Sequence, residues 1–327
     1  MPPFPPQTTM LLVLSHSEDL TTDLVLDHLP DLDVFRFNID LWKEYEWQVD
    51  GHTFLLRDPT GRTCRDEETH AVYLRKLFFN PPLIDVPAGG SEEAWTRGEV
   101  EEVWLGLRDL AMDSKRLALV HPSPFGRWNK MRQMRVARRF FRVPKWSAFH
   151  SKTCPLDVPV VAKSFGQNQI GEGGVLMVRE VQPENLSPDF PWFLQQSITE
   201  ATHDVTVACV GDQFFAYELS RNSFEGQDCR FPTTMSGLSW TPCSLSHEEI
   251  SAIRGFMKAT GLTFGRIDML RDRDGLWFLE INPNGQFAWL DPHGKNGLLV
   301  AVADEIRQVH HRHVASTRLR PLTAACS

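Results

Sequence analysis

Two carboxylates and one carboxamide, Asp268, Glu280 and Asn282, have the types and spacing to hold a divalent cation. Glu280 and Asn282 are two residues apart in Phe278-Leu279-Glu280-Ile281-Asn282, a run of strand type, so both side chains leave the same face. Asp268 stands in Phe264-Gly265-Arg266-Ile267-Asp268-Met269-Leu270, a second such run. The polar segment Arg271-Asp272-Arg273-Asp274-Gly275 between them predicts a hairpin that gathers the three ligands. A hard oxygen donor set suits Mg²⁺, which keeps room for waters and nucleotide phosphates. The Asn-Pro-Asn-Gly punctuation after the second run, residues 282 to 285, strengthens this reading. Asp272 and Asp274 read as ordinary turn carboxylates.

A second constellation lies upstream. Val160-Val161-Ala162-Lys163 predicts a strand ending in a lysine, and residues 166 to 174 follow it with four glycines. Such a loop can close its backbone over phosphates, and a mobile hairpin tip is the alternative. No Gly-Lys-Ser/Thr follows and no helix opens there, so this is not a Walker motif. Residues 114 to 156 carry eleven Lys or Arg and no Asp or Glu. That block reads either as a solvated helix face or as a positive surface for nucleotide phosphates or an acidic peptide.

The 327 residues, 42% hydrophobic and 23% charged, suffice for two or three subdomains with cores. No apolar run approaches the ~20 residues of a membrane span. The proline-rich start, Met1-Pro2-Pro3-Phe4-Pro5-Pro6, lacks the regions of a signal peptide and predicts a disordered lead-in. Six scattered cysteines without a CxxC pair argue against a zinc site or a disulfide framework and for a cytoplasmic location. A net charge of −8 argues against general nucleic-acid binding.

Along the chain, Met10 to Leu14, a helical pattern through Leu29 and Val34 to Phe37 give a strand–helix–strand rhythm. A hairpin around Asp50-Gly51, a strand at Val72 to Arg75 and a helix at Trp95 to Ala111 complete a first α/β domain. A helix is expected near Asn129 to Phe141, with Met131, Met134 and Phe141 inward. Val205 to Val210 and Gln213 to Leu219 flank Gly211-Asp212 as a long hairpin. Ser246-His247-Glu248-Glu249 is a capping box, with Ile250, Ile253 and Met257 inward and Gly261 ending the helix.

From Met10 to Ile306 the chain resembles the ATP-grasp superfamily, and within it the ligases that close rings in microviridin-type peptides, the graspetides. Leu11 to Leu14 with Asp19, Phe35 to Asn38 and Val72 to Lys76 resemble that family's pre-grasp domain. Asn129-Lys130 with Gln133, and Ala162-Lys163, resemble its two nucleotide-lysine regions. Residues 195 to 200, Gln-Gln-Ser-Ile-Thr-Glu, sit where the family has its hinge, and Asp228-Cys229-Arg230 is similar to its Asp-Trp-Arg motif. Glu280 to Gln286 with Trp289-Leu290-Asp291 is the most specific block. Two positions depart from the pattern. The long hairpin opens Asp204-Val205-Thr206 where the family has Asp-hydrophobic-Arg, so a basic group is absent at 206, and Cys229 replaces an aromatic residue. Both bear on the peptide substrate rather than on ATP chemistry.

The resemblance implies an α/β (α+β) ATP-grasp fold with the nucleotide between two α+β subdomains. The expected boundaries are a disordered start at 1–9, a pre-grasp domain at 10–115, a central subdomain at 116–193, a C-terminal subdomain with the metal site at 194–310 and a flexible tail at 311–327. It implies ATP and Mg²⁺ as cofactors, with Lys130, Lys163, Gln195, Gln196, Ile198 and Glu200 on the nucleotide and Asp268, Glu280 and Asn282 on the metal. Arg230, Arg221 and Asn284 are the candidate catalytic residues, the arginines facing the anion that develops at an acyl phosphate; a solvated surface role is the alternative for each arginine. His203 and His293 read as structural or exposed, and the block from His310 to His313 as an incidental part of the tail. The implied activity joins an Asp or Glu side chain of a ribosomal precursor peptide, leader and acidic core, to a Ser/Thr hydroxyl or a Lys amine. The implied partners are that peptide, with no nucleic acid or membrane, and a homodimer is allowed. The alternatives are a ligase adding a free amino acid to a carboxylate and a non-catalytic peptide-binding module.

Overall fold

Leu11 to Leu14 are apolar without alternation, which fits a strand buried on both faces. They form the centre of β1 (Met10–Ser15), every residue of which is buried. The computed structural model describes residues 9–50, 53–75, 90–119, 129–150, 154–165, 178–187, 189–224 and 238–318. The chain divides into two units, residues 1–124 with 286–327, and residues 125–285.

In the first unit, α1 (Leu20–Leu26) crosses from β1 to β2 (Asp33–Asn38), and a small antiparallel sheet follows from β3 (Glu46–Asp50), β4 (Thr53–Arg57) and β5 (Thr63–Arg65). With β6 (Thr69–Leu74), α2 (Ser91–Asp113) and β7 (Leu117–Ala118), β1 and β2 complete a parallel sheet of order β2-β1-β6-β7. Trp104, Leu107 and Ala111 turn the inner stripe of α2 onto Leu12, Leu14, Phe35 and Val72. Burying each large side chain contributes about 1.5–3 kcal/mol.

The second unit opens with α3 (Lys130–Ala137), whose first turn is capped by the Asn129 side chain accepting from the Arg132 N–H at 3.0 Å. Met134 is buried and Phe141 packs on the core, but Met131 faces outward, so the expected stripe is narrower than the sequence suggests. Strands β8 (Trp146–Phe149), β9 (Val160–Lys163), β10 (Arg179–Val181) and β11 (Trp192–Gln196) form an antiparallel sheet of order β10-β9-β11-β8. A second sheet, β14-β13-β12-β15-β16, is built from β12 (His203–Val210), β13 (Gln213–Ser220), β14 (Thr241–Pro242), β15 (Phe264–Asp272) and β16 (Gly275–Asn282). Helix α4 (His247–Thr260) covers its inner face with Ile253, Phe256 and Met257, alongside Met134 and Ala137 of α3. Both halves of the expected capping box form, and Gly261 closes the helix at φ 69°, a left-handed position that glycine adopts without steric cost.

The β15–β16 turn is held by Asp272. Arg142 donates to both its carboxylate oxygens at 2.7 and 3.0 Å, and Trp277 Nε1 donates at 2.7 Å. Chiefly through Arg142, against the opposing effect of burial, its carboxyl falls from the ordinary 3.8 to about 2. A lowered carboxyl stabilises the fold above the unfolded-state value and loses that contribution as pH falls toward the folded one. Asp272→Asn is therefore expected to cost about 1–2 kcal/mol at pH 7. In urea unfolding the gap from wild type should close as pH drops from about 4 toward 2.

After Gly285 the chain returns to the first unit, where α5 (Leu298–Arg318) packs on β6 and α1. Two expectations change here. The stretch from Gln286 to residue 310, placed by sequence in the C-terminal subdomain, groups with the N-terminal sheet, and residues 311–318 are helix rather than tail. The apolar face of α5, with Leu298, Leu299, Val302 and Ile306 buried, accounts for both. His310 is accordingly buried, its ring 5.8 Å from that of His70, and burial lowers its pKa.

Candidate nucleotide and metal site

Alternation along β12 and β15 sends Val205, Val207, Ile267 and Met269 into the core and leaves Asp204, Thr206, Arg266 and Asp268 on the opposite face. On β16 plain alternation fails. Phe278 and Ile281 are both core residues although three positions apart. Asp268 pairs with Glu280 and Met269 with Phe278, so Leu279 is an extra residue. A regular strand would point Glu280 inward with Phe278; the bulge at Leu279 re-aims it onto the face that carries Asp268. Gly265 allows this close packing, because a Cβ there would meet Ile281 Cδ1 at 2.7 Å.

Asp268 is the hub. Thr206 Oγ1 donates to its Oδ1 at 2.9 Å, while Arg266 Nη2 and Asn282 Nδ2 donate to Oδ2 at 3.0 and 3.2 Å. Glu280 Oε2 lies 2.8 Å from Lys130 Nζ, at the start of α3. The same helix is tied to β16 by Gln133 Oε1, which accepts the Ile281 N–H at 2.9 Å. The donor set, two carboxylates and an amide on one face, fits Mg²⁺ in chemistry. Among the described residues no cluster of three or more His, Cys, Asp or Glu is placed to hold a metal, so a softer site has no support there.

Lys163 ends β9 beside Phe193 of β11 and is only 9% exposed. On β11, Gln195 is 1% exposed and its Nε2 lies 3.6 Å from Met134 Sδ. Its Oε1 is buried with no hydrogen-bond partner among the described residues. An orphan buried acceptor is costly, and the amino group of a nucleobase would satisfy it. Gln196 binds the Lys145 backbone in both directions, with its N–H donating to the Lys145 carbonyl at 2.7 Å. Ile198 packs with Ala201 and Leu270, which fixes the segment after β11, and Glu200 is exposed beyond it.

Neither a scan against models of protein families nor a search of curated proteins finds a match. Solved structures do match along nearly the whole chain. The macrocyclase MdnC from Microcystis aeruginosa MRC, bound with precursor peptide MdnA, is 20% identical with a TM-score of 0.72, over 92% of this chain and 100% of that one. A RiPP-associated ATP-grasp ligase from Chryseobacterium gregarium, in complex with ADP and a leader and core peptide, is 20% identical with a TM-score of 0.75, over 92% and 97%. The chain has the ATP-grasp fold. The ATP-grasp ligase PsnB, complexed with minimal precursor, Mg and ADP, shares it at 15% identity and a TM-score of 0.65, over 92% and 97%.

Within this ATP-grasp fold the second unit holds every expected nucleotide and metal residue: Lys130, Lys163, Gln195, Gln196, Ile198, Glu200, Asp268, Glu280 and Asn282. Asp268, Glu280, Asn282 and Lys130 form one contact network. Arg221 is committed to Asp204, Nη1 to Oδ1 2.7 Å, and is largely buried rather than solvated. Asn284 follows β16 in the turn closed by the Gly285 N–H on the Asn282 carbonyl at 3.1 Å. Arg230 and the glycine-rich run lie outside the described residues. The basic block divides: Arg116 is buried on the Asp66 and Thr69 carbonyls and Arg142 holds Asp272, whereas Lys115, Arg132, Arg135, Arg138, Arg139 and Lys145 are exposed. His203 meets Thr202 Oγ1 through Nδ1 at 3.0 Å, and His293 is exposed. Arg266 went unremarked in the sequence, although it stands two residues before Asp268 and therefore on its face.

Proposed function

We infer that the chain is an ATP-dependent carboxylate ligase that closes rings in a ribosomal precursor peptide. The observation that carries this reading is the Asp268/Glu280/Asn282 face with Lys130 against it, on a fold shared with ligases bound to precursor peptides. Asp268, Glu280 and Asn282 would hold Mg²⁺, which when bound offsets phosphate charge. Lys130 and Lys163 supply point charge to the phosphates, and Gln195 Oε1 accepts from the base. An Asp or Glu carboxylate of the peptide attacks the γ-phosphorus of ATP, the bond to the β-phosphate oxygen breaks, and ADP leaves with an acyl phosphate formed. A Ser/Thr hydroxyl or Lys amine then attacks the acyl carbon, loses its proton and expels inorganic phosphate, giving an ester or amide. A short acidic precursor encoded nearby, mixed with the chain and MgATP, should lose one water per ring by mass spectrometry and release one ADP per ring. No mass loss and no ADP with any such peptide would overturn the reading.

Arg230 is the expected partner of the developing acyl phosphate. A group that meets charge present only during reaction affects turnover more than nucleotide affinity. Arg230→Ala is expected to bind ADP as wild type does and to make rings about 100-fold more slowly. Arg230→Lys should rescue poorly for want of the planar fork. Wild-type ring yield from Arg230→Ala in the same mass assay would remove this residue from the site.

A further inference from the structure

Arg132, Arg135, Arg138 and Arg139 stand three or four residues apart on α3 and the turn that follows it, and all four are exposed. Residues at that spacing share one side of a helix. The opposite side buries Gln133, Met134 and Ala137. A solvated helix face ordinarily interleaves carboxylates at this spacing, which relieves the repulsion between like charges. Here no Asp or Glu occurs from 114 to 156, and among the described residues Arg135, Arg138 and Arg139 join no ion pair. The stripe is held in place at its far end. Arg139 Cζ lies 5.4 Å from the centre of the Phe140 ring. That ring packs against α4, where a Cβ on Gly255 would meet it at 2.8 Å. The near end begins two residues after Lys130, whose Nζ is 2.8 Å from Glu280 Oε2. From Arg132 to Arg139 the stripe runs about 10 Å along the helix axis.

We propose that this arginine stripe is a docking track for an acidic segment of the peptide substrate, laid along the outer side of α3 with one end toward Lys130. The inference rests on the ligase reading above, because that reaction consumes Asp or Glu side chains and a substrate for several rings is rich in them. A chain of net charge −8 repels such a peptide at long range. A local track without carboxylates reverses the field where the peptide lands and steers it there. In an extended peptide, carboxylates at alternate positions fall about 7 Å apart, so the stripe meets two of them at once. Each arginine can fork onto a carboxylate, and Met131, exposed on the same side, offers apolar contact to the peptide's side-chain stems. The same net charge disfavours a nucleic acid as the occupant. Each ring turns one carboxylate into an uncharged ester or amide. The finished product therefore grips the track less than the linear substrate does, which favours its release.

Fluorescence anisotropy tests this without nucleotide or ring closure. The probe is a short fluorescein-labelled peptide of alternating Glu and Thr, compared with its Gln and Thr counterpart and with a labelled single-stranded RNA of similar length. Wild type is expected to bind the Glu peptide about tenfold more tightly than the Gln peptide, and the preference should vanish as sodium chloride rises from about 20 to about 500 mM. The triple variant Arg135→Gln, Arg138→Gln, Arg139→Gln should weaken the Glu peptide about tenfold and leave the Gln peptide unchanged. Lys145→Gln removes an exposed charge off the stripe and should leave both unchanged. MgADP affinity by calorimetry should stay within about twofold of wild type in the triple variant, which shows that it is folded. If that affinity is lost, the single variants Arg135→Gln and Arg138→Gln carry the test, each with an expected loss of about twofold for the Glu peptide. Equal affinity of wild type for the two peptides, full Glu-peptide affinity in the arginine variants, or an equal loss in Lys145→Gln would overturn the proposal. Tighter binding of the RNA, lost in the triple variant, would make the stripe a nucleic-acid surface and overturn it too. If wild type fails to bind MgADP, the ligase reading itself falls; if it binds MgADP and the triple variant holds the Glu peptide as wild type does, only the docking track falls.

Discussion

Glu280→Gln is expected to lower ATP-dependent turnover about 100- to 1000-fold while leaving the protein folded. The substitution preserves shape and the bulge that aims the side chain, and it removes one of the two formal charges in the ligand set. It also weakens the 2.8 Å ion pair with Lys130, so a cation proposed to face phosphate loses its tether. Because that pair is partly exposed, its direct contribution to stability is about 1 kcal/mol or less. The thermal midpoint should therefore move by only a few degrees. ADP release across a magnesium titration is the measurement: the variant should need far more magnesium and still fall short of wild-type rate. Wild-type turnover with ordinary magnesium dependence would remove Glu280 from the metal site.

Lys163→Ala should raise the ATP requirement about 100-fold. A unit charge about 4 Å from phosphate in a partly desolvated setting is worth roughly 4 kcal/mol at an effective dielectric near 20. Part of that is repaid because the lysine no longer has to be desolvated. Lys145→Ala is the control, since its side chain is 62% exposed and a screened surface charge contributes little. Calorimetry with MgADP separates the two, and equal affinities for Lys163→Ala and wild type would return Lys163 to a structural role at the end of β9.

The parts of this fold that were legible in the sequence are those fixed by near neighbours. The hairpin around Gly211-Asp212, the capping box at Ser246 and the paired strands bearing Asp268 and Glu280 each depend on residues within a few positions. What escaped depends on distant parts of the chain. The periodicity of α5 announces a helix but not which sheet receives it, and so His310 looked like tail when it is buried against His70. Arg266 reads as one more charged strand residue until Thr206 and Asn282 are seen to share its carboxylate partner. Asp272 reads in sequence as an ordinary turn carboxylate, yet its grip on Arg142 links residues 130 positions apart in sequence.

The extra residue at Leu279 also determines where this chain can change length. Between Asp272 and Gly275 the turn projects into solvent, so an insertion there lengthens a loop and leaves the pairing behind it intact. Removing Leu279 erases the bulge without changing the faces on either side of it. Phe278 and Glu280 become consecutive residues opposite Met269 and Asp268, so plain alternation keeps Phe278 and Ile281 in the core and the carboxylate on the face of Asp268. Replacing Leu279 by another apolar side chain alters packing beside Ile198, while deleting it removes that contact and the local twist of the bulge. Along this hairpin the chain can thus change length at the turn and at the bulge alike, because the pairing of Asp268 with Glu280 sets which face the carboxylates share.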